Sequence, residues 1–198
     1  VPARATGIAY VPEPGRVMYC VHSTPVFNSN GYSTRTRGVA QGLRDAGADV
    51  AVVSRPGYPW DSSVDKPKPA LERSESNMNE IPYVHLPGMS LNTSPTDKYF
   101  IAAADAFARE ARRQRPSVIQ SASNHRTALP ALLAARRLGV PFLYEVRGLW
   151  EVTTASQKTG WENPEQYASM VSPETLVASE ADVVLAITQQ IADELVLR

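Results

Sequence analysis

The chain has 198 residues, 43% of them apolar, with Lys plus Arg and Asp plus Glu both at 20 and a formal charge of zero. That is enough apolar material for one sizeable domain, and it excludes global disorder. The charge balance excludes a bulk field that would hold nucleic acid or a membrane at long range. The single Cys20 excludes a disulfide framework within the chain, and no run approaches the roughly 18 apolar residues of a membrane span.

Residues 1–15, VPARATGIAYVPEPG, carry three prolines and read as a lead-in linker to a domain over 16–198. The chain opens at Val1 and is still helically patterned at Arg198, as expected of a piece of a longer polypeptide. Arg16–Ser23 is an unbroken apolar run around Cys20, the pattern of a strand covered on both faces. A turn-rich loop over 24–32 follows. Ser33 or Thr34 is then expected to cap a helix that shares Val39, Leu43 and Ala46 on one face and ends at Gly47. With the strand 48–54, this makes a mononucleotide-binding half of a doubly wound fold.

Residues 55–80 show no period of two or 3.6 and are expected to form a substrate-side loop. Ile81–Leu86 reads as a strand, and a helix begins at Thr96 or Asp97 with Phe100, Ile101, Ala104, Phe107, Ala108 and Ala111 as its inner stripe. Its closing Arg112, Arg113 and Arg115 read as a solvated helix end, where cations suit the dipole. The strand at 118–119 stops at small polar residues 121–124. A helix from Ala128 to Leu138 follows, closed by Gly139 and Pro141, then a strand over 140–146. Connections this short predict that the two strands are parallel neighbours.

Trp150–Asn163 is expected as a polar loop. Pro164 should open a helix that Pro173 interrupts, with Ser172 as a fresh N-cap. Ala181–Ile187 is the sixth predicted strand, and Thr188 caps the closing helix. The fold class is therefore α/β: a doubly wound, Rossmann-like parallel sheet with helices on both faces.

Several standard sites are absent. There is no GxGxxG, no GxxxxGK[ST] and no GxSxG, and His22, His85, His125 and Cys20 are too scattered for a structural zinc site. Candidate chemistry sits at the strand ends. Asn30 and Gly31 precede the first helix, where backbone N–H groups and the helix dipole suit a phosphate. Arg35 and Arg37 would lie in its first turn against the dipole, which also points to an anion. Glu145 and Arg147 are two apart on one face of a strand, either a structural pair or a fork holding an anion such as a leaving diphosphate. Gly148, Trp150 and Glu151 continue this edge as substrate-side residues. His125 ends the neighbouring strand as a base or substrate ligand, and Trp150 and Trp161 could stack on a sugar.

Residues 16–198 resemble the N-terminal, acceptor-side domain of GT-B glycosyltransferases of the family-4-like type. The resemblance rests on TALPALLAARRLGVPFLYEVRGLWE, on ASEADVVLAITQQIADELVLR and on RPGYPWD. It implies one half of a two-domain, hexosyltransferase-like enzyme, whose own C-terminal donor-binding domain lies outside this chain. The donor implied is a nucleotide-diphosphate sugar, with transfer retaining the anomeric configuration, no cofactor and no essential metal. A glycan, a lipid-linked molecule or a small molecule would be the acceptor, with no nucleic acid and no transmembrane segment. Localisation would be cytoplasmic or peripheral at the inner membrane face, and the fragment alone would be inactive. The resemblance implies diphosphate contact at Gly31; with the strand-end residues read above, the expected roles are donor-phosphate contact at Asn30 and Gly31, catalysis at Arg147 and His125, and substrate contact at Glu145, Gly148, Trp150 and Glu151. Arg147 stands where many members carry a histidine. That departure keeps open a non-catalytic carbohydrate- or partner-binding module.

Overall fold

A computed structural model describes the chain apart from residues 8, 63–71 and 158–163. The elements are β1 (Glu13–Val21), α1 (Gly31–Asp45), β2 (Asp49–Ser54), β3 (Ser74–Met78), β4 (Ile81–His85), α2 (Thr96–Gln114) and β5 (Pro116–Ala122), then α3 (His125–Leu138), β6 (Phe142–Val146), α4 (Trp150–Gln157), α5 (Pro164–Glu180), β7 (Val183–Ala186) and α6 (Gln189–Leu197). They build one seven-stranded sheet in the order β3-β4-β2-β1-β5-β6-β7. Every neighbouring pair is parallel except β3 with β4.

The sheet buries both faces because β1 and β2 carry consecutive apolar residues, Val17–Val21 and Val50–Val53. Met18, Cys20, Val53 and Val84 point to one side and pack with Phe107 and Ala111 of α2 and Ala131 and Leu132 of α3. Tyr19, Val21, Val52 and Tyr83 point to the other and meet Ala40, Val39 and Leu43 of α1. The alternation along β1 sorts its residues between the two cores. Gly139 ends α3 in the left-handed region at φ 72°, as the sequence suggests. Thr188 caps α6 by accepting from the Ile191 N–H.

Several expectations are corrected. The seventh strand, β3, hides in the 55–80 segment. It is short, polar and antiparallel at the sheet edge, so it needs no apolar alternation. The first strand begins at Glu13. The lead-in is also tied down, with the Ala5 N–H bonded to the Arg136 carbonyl and the Tyr10 hydroxyl to the Pro116 carbonyl. The first helix starts at Gly31, capped by Asn30, so Arg35 stands in its second turn and the dipole argument built on it fails. Trp150–Gln157 is helical, not a loop. Pro173 lies inside a continuous α5, because Glu174 and Val177 just beyond it are buried and anchor the helix through the proline. Ile101 is 57% exposed, and Tyr99 takes its expected place in the core. Trp161 lies outside the described residues.

Candidate functional site

The chain winds from β1 out through β2 to β4 on one side, then returns to place β5, β6 and β7 on the other. The order reverses between β1 and β5. Open α/β sheets leave a crevice at the carboxyl end of the strands at such a point. A cleft of about 310 Å³ opens there, floored by His22 and Ser23 after β1 and by Ser123 and Asn124 after β5. Tyr58 and Ser62 wall it from the β2 side, Asn28, Asn30 and Tyr32 from the entry to α1, and Trp150 from the start of α4. Among the described residues its lining is amide, hydroxyl, imidazole and aromatic, with no carboxylate.

Three helices start at this cleft, α1, α3 and α4, and the first turns of α1 and α3 differ. At α3 every early N–H is taken. Asn124 Oδ1 accepts from Arg126 at 3.1 Å, its carbonyl accepts from Thr127 and Ala128, and Glu174 Oε1 accepts from the His125 N–H at 2.7 Å. At α1 a capping box uses Asn30 Oδ1 for the Ser33 N–H at 2.8 Å and Ser33 Oγ for the Asn30 N–H at 3.0 Å. The Thr34 N–H goes to the Asn30 carbonyl. The N–H groups of Gly31 and Tyr32 are left open among the described residues, at the positive end of a 15-residue helix. Gly31 is exposed, and a Cβ built on it meets nothing within 4 Å.

Beneath this turn lies a buried ionic network. Arg147 donates Nε to Glu145 Oε1 at 3.1 Å and Nη1 to the Tyr32 carbonyl and Thr36 Oγ1 at 3.0 and 2.9 Å. Its Nη2 donates to Glu145 Oε2 at 3.2 Å and to the Tyr19 hydroxyl. All five guanidinium donors are therefore spent, and the side chain is only 6% exposed. Glu145 also accepts from Tyr19 and from Arg35 at 3.0 Å. Burial works to raise the Glu145 carboxyl, but the Arg147 fork, Tyr19 and Arg35 outweigh it and hold the group below its usual range. The Arg147 guanidinium lies 4.4 Å from the Tyr32 ring centroid, and burial pushes Tyr32 up to about 12. The pair therefore straps β6 to the first turns of α1.

The expected site residues separate accordingly. Asn30 and Trp150 line the cleft, and Gly31 is the first residue of the α1 turn that Asn30 caps. Glu145 and Arg147 lie below that turn, facing each other. His125 opens α3 with its Nδ1 3.0 Å from Glu174 Oε1, while Tyr144 donates to the other Glu174 oxygen, so the ring is oriented by a buried carboxylate. Gly148 follows Arg147 without lining the cleft. Glu151 turns inward, fully buried, onto Arg198, so the structure corrects its place at the substrate edge.

Sequence reasoning missed His22, Tyr58, Ser123, Asn124 and Glu174. His22, Ser123 and Asn124 each follow the end of a strand, which was the available signal. Glu174 sits mid-helix and gave none. His22 is lowered to about 4, chiefly by burial and then by Arg55, so the cleft histidine is neutral. Arg55, 1% exposed, forks onto Asp61 at 2.5 and 2.9 Å, and Asp61 also accepts the Leu91 N–H. That lock joins the turn bearing Tyr58 to the 86–95 loop.

Residues 30–198 match the model of the glycosyl transferase 4-like domain. Among solved structures, the UDP-GlcNAc 2-epimerase from Methanocaldococcus jannaschii superposes with a TM-score of 0.53 at 9% identity, over 92% of this chain and 42% of that one. MurG from Acinetobacter baumannii gives 0.53 at 15% identity, over 88% and 41%. A putative UDP-N-acetylglucosamine 2-epimerase from Listeria monocytogenes gives 0.56 at 14%, over 92% and 42%. At these identities the likeness is one of fold, and the chain spans about two fifths of those proteins. No curated protein matches it.

Proposed function

The chain belongs to the glycosyl transferase 4-like domain family, and from that premise we propose that it is the acceptor-side half of a retaining, GT-B-type glycosyltransferase. The donor is a nucleotide-diphosphate sugar, held mainly by a further domain of the full-length protein, and no metal is required. The observation that carries this reading is the pair of N–H groups at Gly31 and Tyr32, open among the described residues, set beside a cleft at the switch point whose described lining carries no carboxylate.

In the transfer, the bond from the anomeric carbon to the diphosphate oxygen breaks, and a bond to an acceptor hydroxyl oxygen forms. Negative charge collects on the leaving diphosphate, and its oxygen takes up the acceptor hydroxyl's proton. Fixed N–H donors at a helix N-terminus stabilise that charge without reorganising. Arg147 serves this step as a positioning residue, holding the Tyr32 carbonyl and Thr36 so that the turn stays aimed; its donors are spent and cannot also grip the phosphate. His125, oriented by Glu174, and Trp150 shape the acceptor side. The amide, hydroxyl and aromatic lining suits a hydroxyl-rich acceptor, whether glycan, lipid-linked or small.

The test is thermal stabilisation of the full-length protein by a panel of nucleoside diphosphates and their sugars. Ligand at a hundred times its dissociation constant stabilises by about 2.7 kcal/mol. A shift that Gly31→Pro weakens, by removing the Gly31 N–H at a first helical position that tolerates proline, with the unliganded melting point preserved, supports the assignment; a shift that Gly31→Pro leaves intact puts the phosphate elsewhere. The commitment of every Arg147 donor also favours a second reading, a carbohydrate-binding module without transfer. Stabilisation by oligosaccharides and by no nucleotide would select it.

A further inference from the structure

One arginine at the cleft takes no part in the ionic networks around it. Eleven arginines of the chain are in ion pairs. Five have no such partner among the described residues: Arg37, Arg109, Arg112, Arg113 and Arg126. Arg126 stands two positions beyond Asn124 of the cleft floor, whose Oδ1 holds its N–H at 3.1 Å. Its side chain is exposed. Beyond the larger effect of burial, its charge acts on the His22 ring of the cleft and on the Tyr99 hydroxyl of α2, so the guanidinium stands near both. The helix does not account for it. Arg126 lies in the first turn of α3, which has no acidic residue, at the end where a cation is unfavourable.

The cleft walls supply donors in excess. Among the described residues the side-chain N–H groups of Asn28, Asn30 and Asn124 donate to nothing, while the Oδ1 atoms of Asn30 and Asn124 already accept from backbone N–H groups. The Ser123 hydroxyl accepts from the Arg147 N–H, which leaves its own proton to donate. A neutral sugar needs acceptors for its hydroxyl protons as well as donors. The strongest such acceptor, a carboxylate, is missing from the described lining. An anion reverses that demand, because it only accepts.

Resting on the transferase reading above, we propose that the acceptor taken by this cleft is a small phosphate monoester, a phosphorylated sugar or polyol, with its phosphate held by Arg126 and the Asn124 amide. At about 310 Å³ the cleft is at the small end of ligand sites and has room for one such molecule. Three terminal oxygens and a charge near −2 match a guanidinium fork with several open amides better than the two oxygens of a carboxylate do. This phosphate is distinct from the donor diphosphate, which the same reading seats on the Gly31 and Tyr32 N–H groups. The acceptor's hydroxyl is then presented to the anomeric carbon from a molecule fixed at its far end.

The test is calorimetric titration of the full-length protein with inorganic phosphate at constant ionic strength. It is run alone and with the protein saturated by the nucleoside diphosphate that stabilises it. Phosphate should bind in both cases. Arg126→Gln removes an unpaired, exposed cation from a helix start, so the fold should tolerate it. It should weaken phosphate binding about tenfold to a hundredfold and leave nucleotide binding as in the parent. Gly31→Pro should do the reverse, and Arg37→Gln, which removes an unpaired arginine of α1, should bind phosphate as the parent does. Equal phosphate affinity in the parent and Arg126→Gln, or exclusion of phosphate by the nucleotide, would overturn the proposal. So would tighter binding of dihexanoylphosphatidic acid than of glucose 6-phosphate, which would put a lipid headgroup in the cleft. Phosphate binding that needs Arg126, in a protein that binds no nucleotide, would keep the phosphate site and overturn the transferase reading instead.

Discussion

Replacing Arg147 with methionine keeps an unbranched stem of similar reach and removes the charge and all five donors. Glu145, 3% exposed, then keeps Tyr19, Arg35 and a long contact from Gln120 at 3.5 Å, while the Tyr32 carbonyl and the Thr36 hydroxyl lose the donors they accept from. Removing one member of a buried ion pair costs about 3–5 kcal/mol. Arg35 is 45% exposed and still faces the carboxylate, which places the loss near the lower end, about 3 kcal/mol. In a chain of this size that is about 6–12 °C in melting temperature. The pH dependence gives a sharper check. In the parent, Glu145 sits below its unfolded value, so its contribution is present above the ordinary carboxylate range and lost as pH falls through the folded value. Without Arg147, burial dominates and raises the group; the folded state then binds the proton more tightly, and the variant's deficit shrinks on acidification. Urea midpoints at neutral and mildly acidic pH measure both effects. Adding Glu145→Gln to Arg147→Met should recover most of the loss at neutral pH. Equal midpoints for the parent and Arg147→Met, or a double variant no better than the single, would show that the network straps nothing.

Two glycines should behave in opposite ways. Gly57 sits at φ 87° with the Met89 carbonyl oxygen 2.5 Å from a built Cβ, so Gly57→Ala should cost about 3 kcal/mol by strain and overpacking together. Gly31→Ala should leave the melting temperature unchanged or slightly higher, since alanine is the better helix former by about 0.5–1 kcal/mol. His22 and His85 are both lowered to about 4, by burial first, against an unfolded value near 6.5. The unfolded chain binds more protons between those values, so stability should be full above about pH 6.5 and fall by up to about 4 kcal/mol by pH 5; a flat urea midpoint over that range would count against neutral burial. Cys20 is fully buried, and burial pushes its thiol up, so it should react with an aromatic disulfide reagent only after denaturant is added.

The parts of the fold visible in the sequence were those where local pattern and burial agree. Val17–Val21 and 140–144 are apolar at consecutive positions because both faces of their strands are covered, and Gly139 marks a chain reversal that needs a positive φ. Elements that depend on distant partners left no such trace. SESNM becomes a strand only because β4 offers its free edge, and Trp150–Gln157 carries no helical period because few of its side chains meet the core. The capping box shows the same limit. Asn30 and Ser33 were both visible, but which of them opened the helix depended on the Ser33 hydroxyl reaching back to the Asn30 N–H and the Asn28 carbonyl.

The same reasoning separates the two charged residues that were most conspicuous in the sequence from the place where chemistry is available. Glu145 and Arg147 at the end of an apolar strand look like a ligand site because charge there is costly, and the structure meets that cost by pairing them. An ion pair with every donor spent has little left to offer a substrate. The groups with unspent capacity are less visible: two backbone N–H groups that no side-chain pattern announces, left open because the capping box serves Ser33 and Thr34 but not Gly31 and Tyr32. α3 starts at the same edge with its first turn closed by Asn124 and Glu174, so of these two helix ends only that of α1 is open among the described residues. The asymmetry is set by Glu174, held inside α5 far along the chain. Substituting Glu174→Ala should therefore free the His125 N–H and ring, and create a second open terminus beside the first.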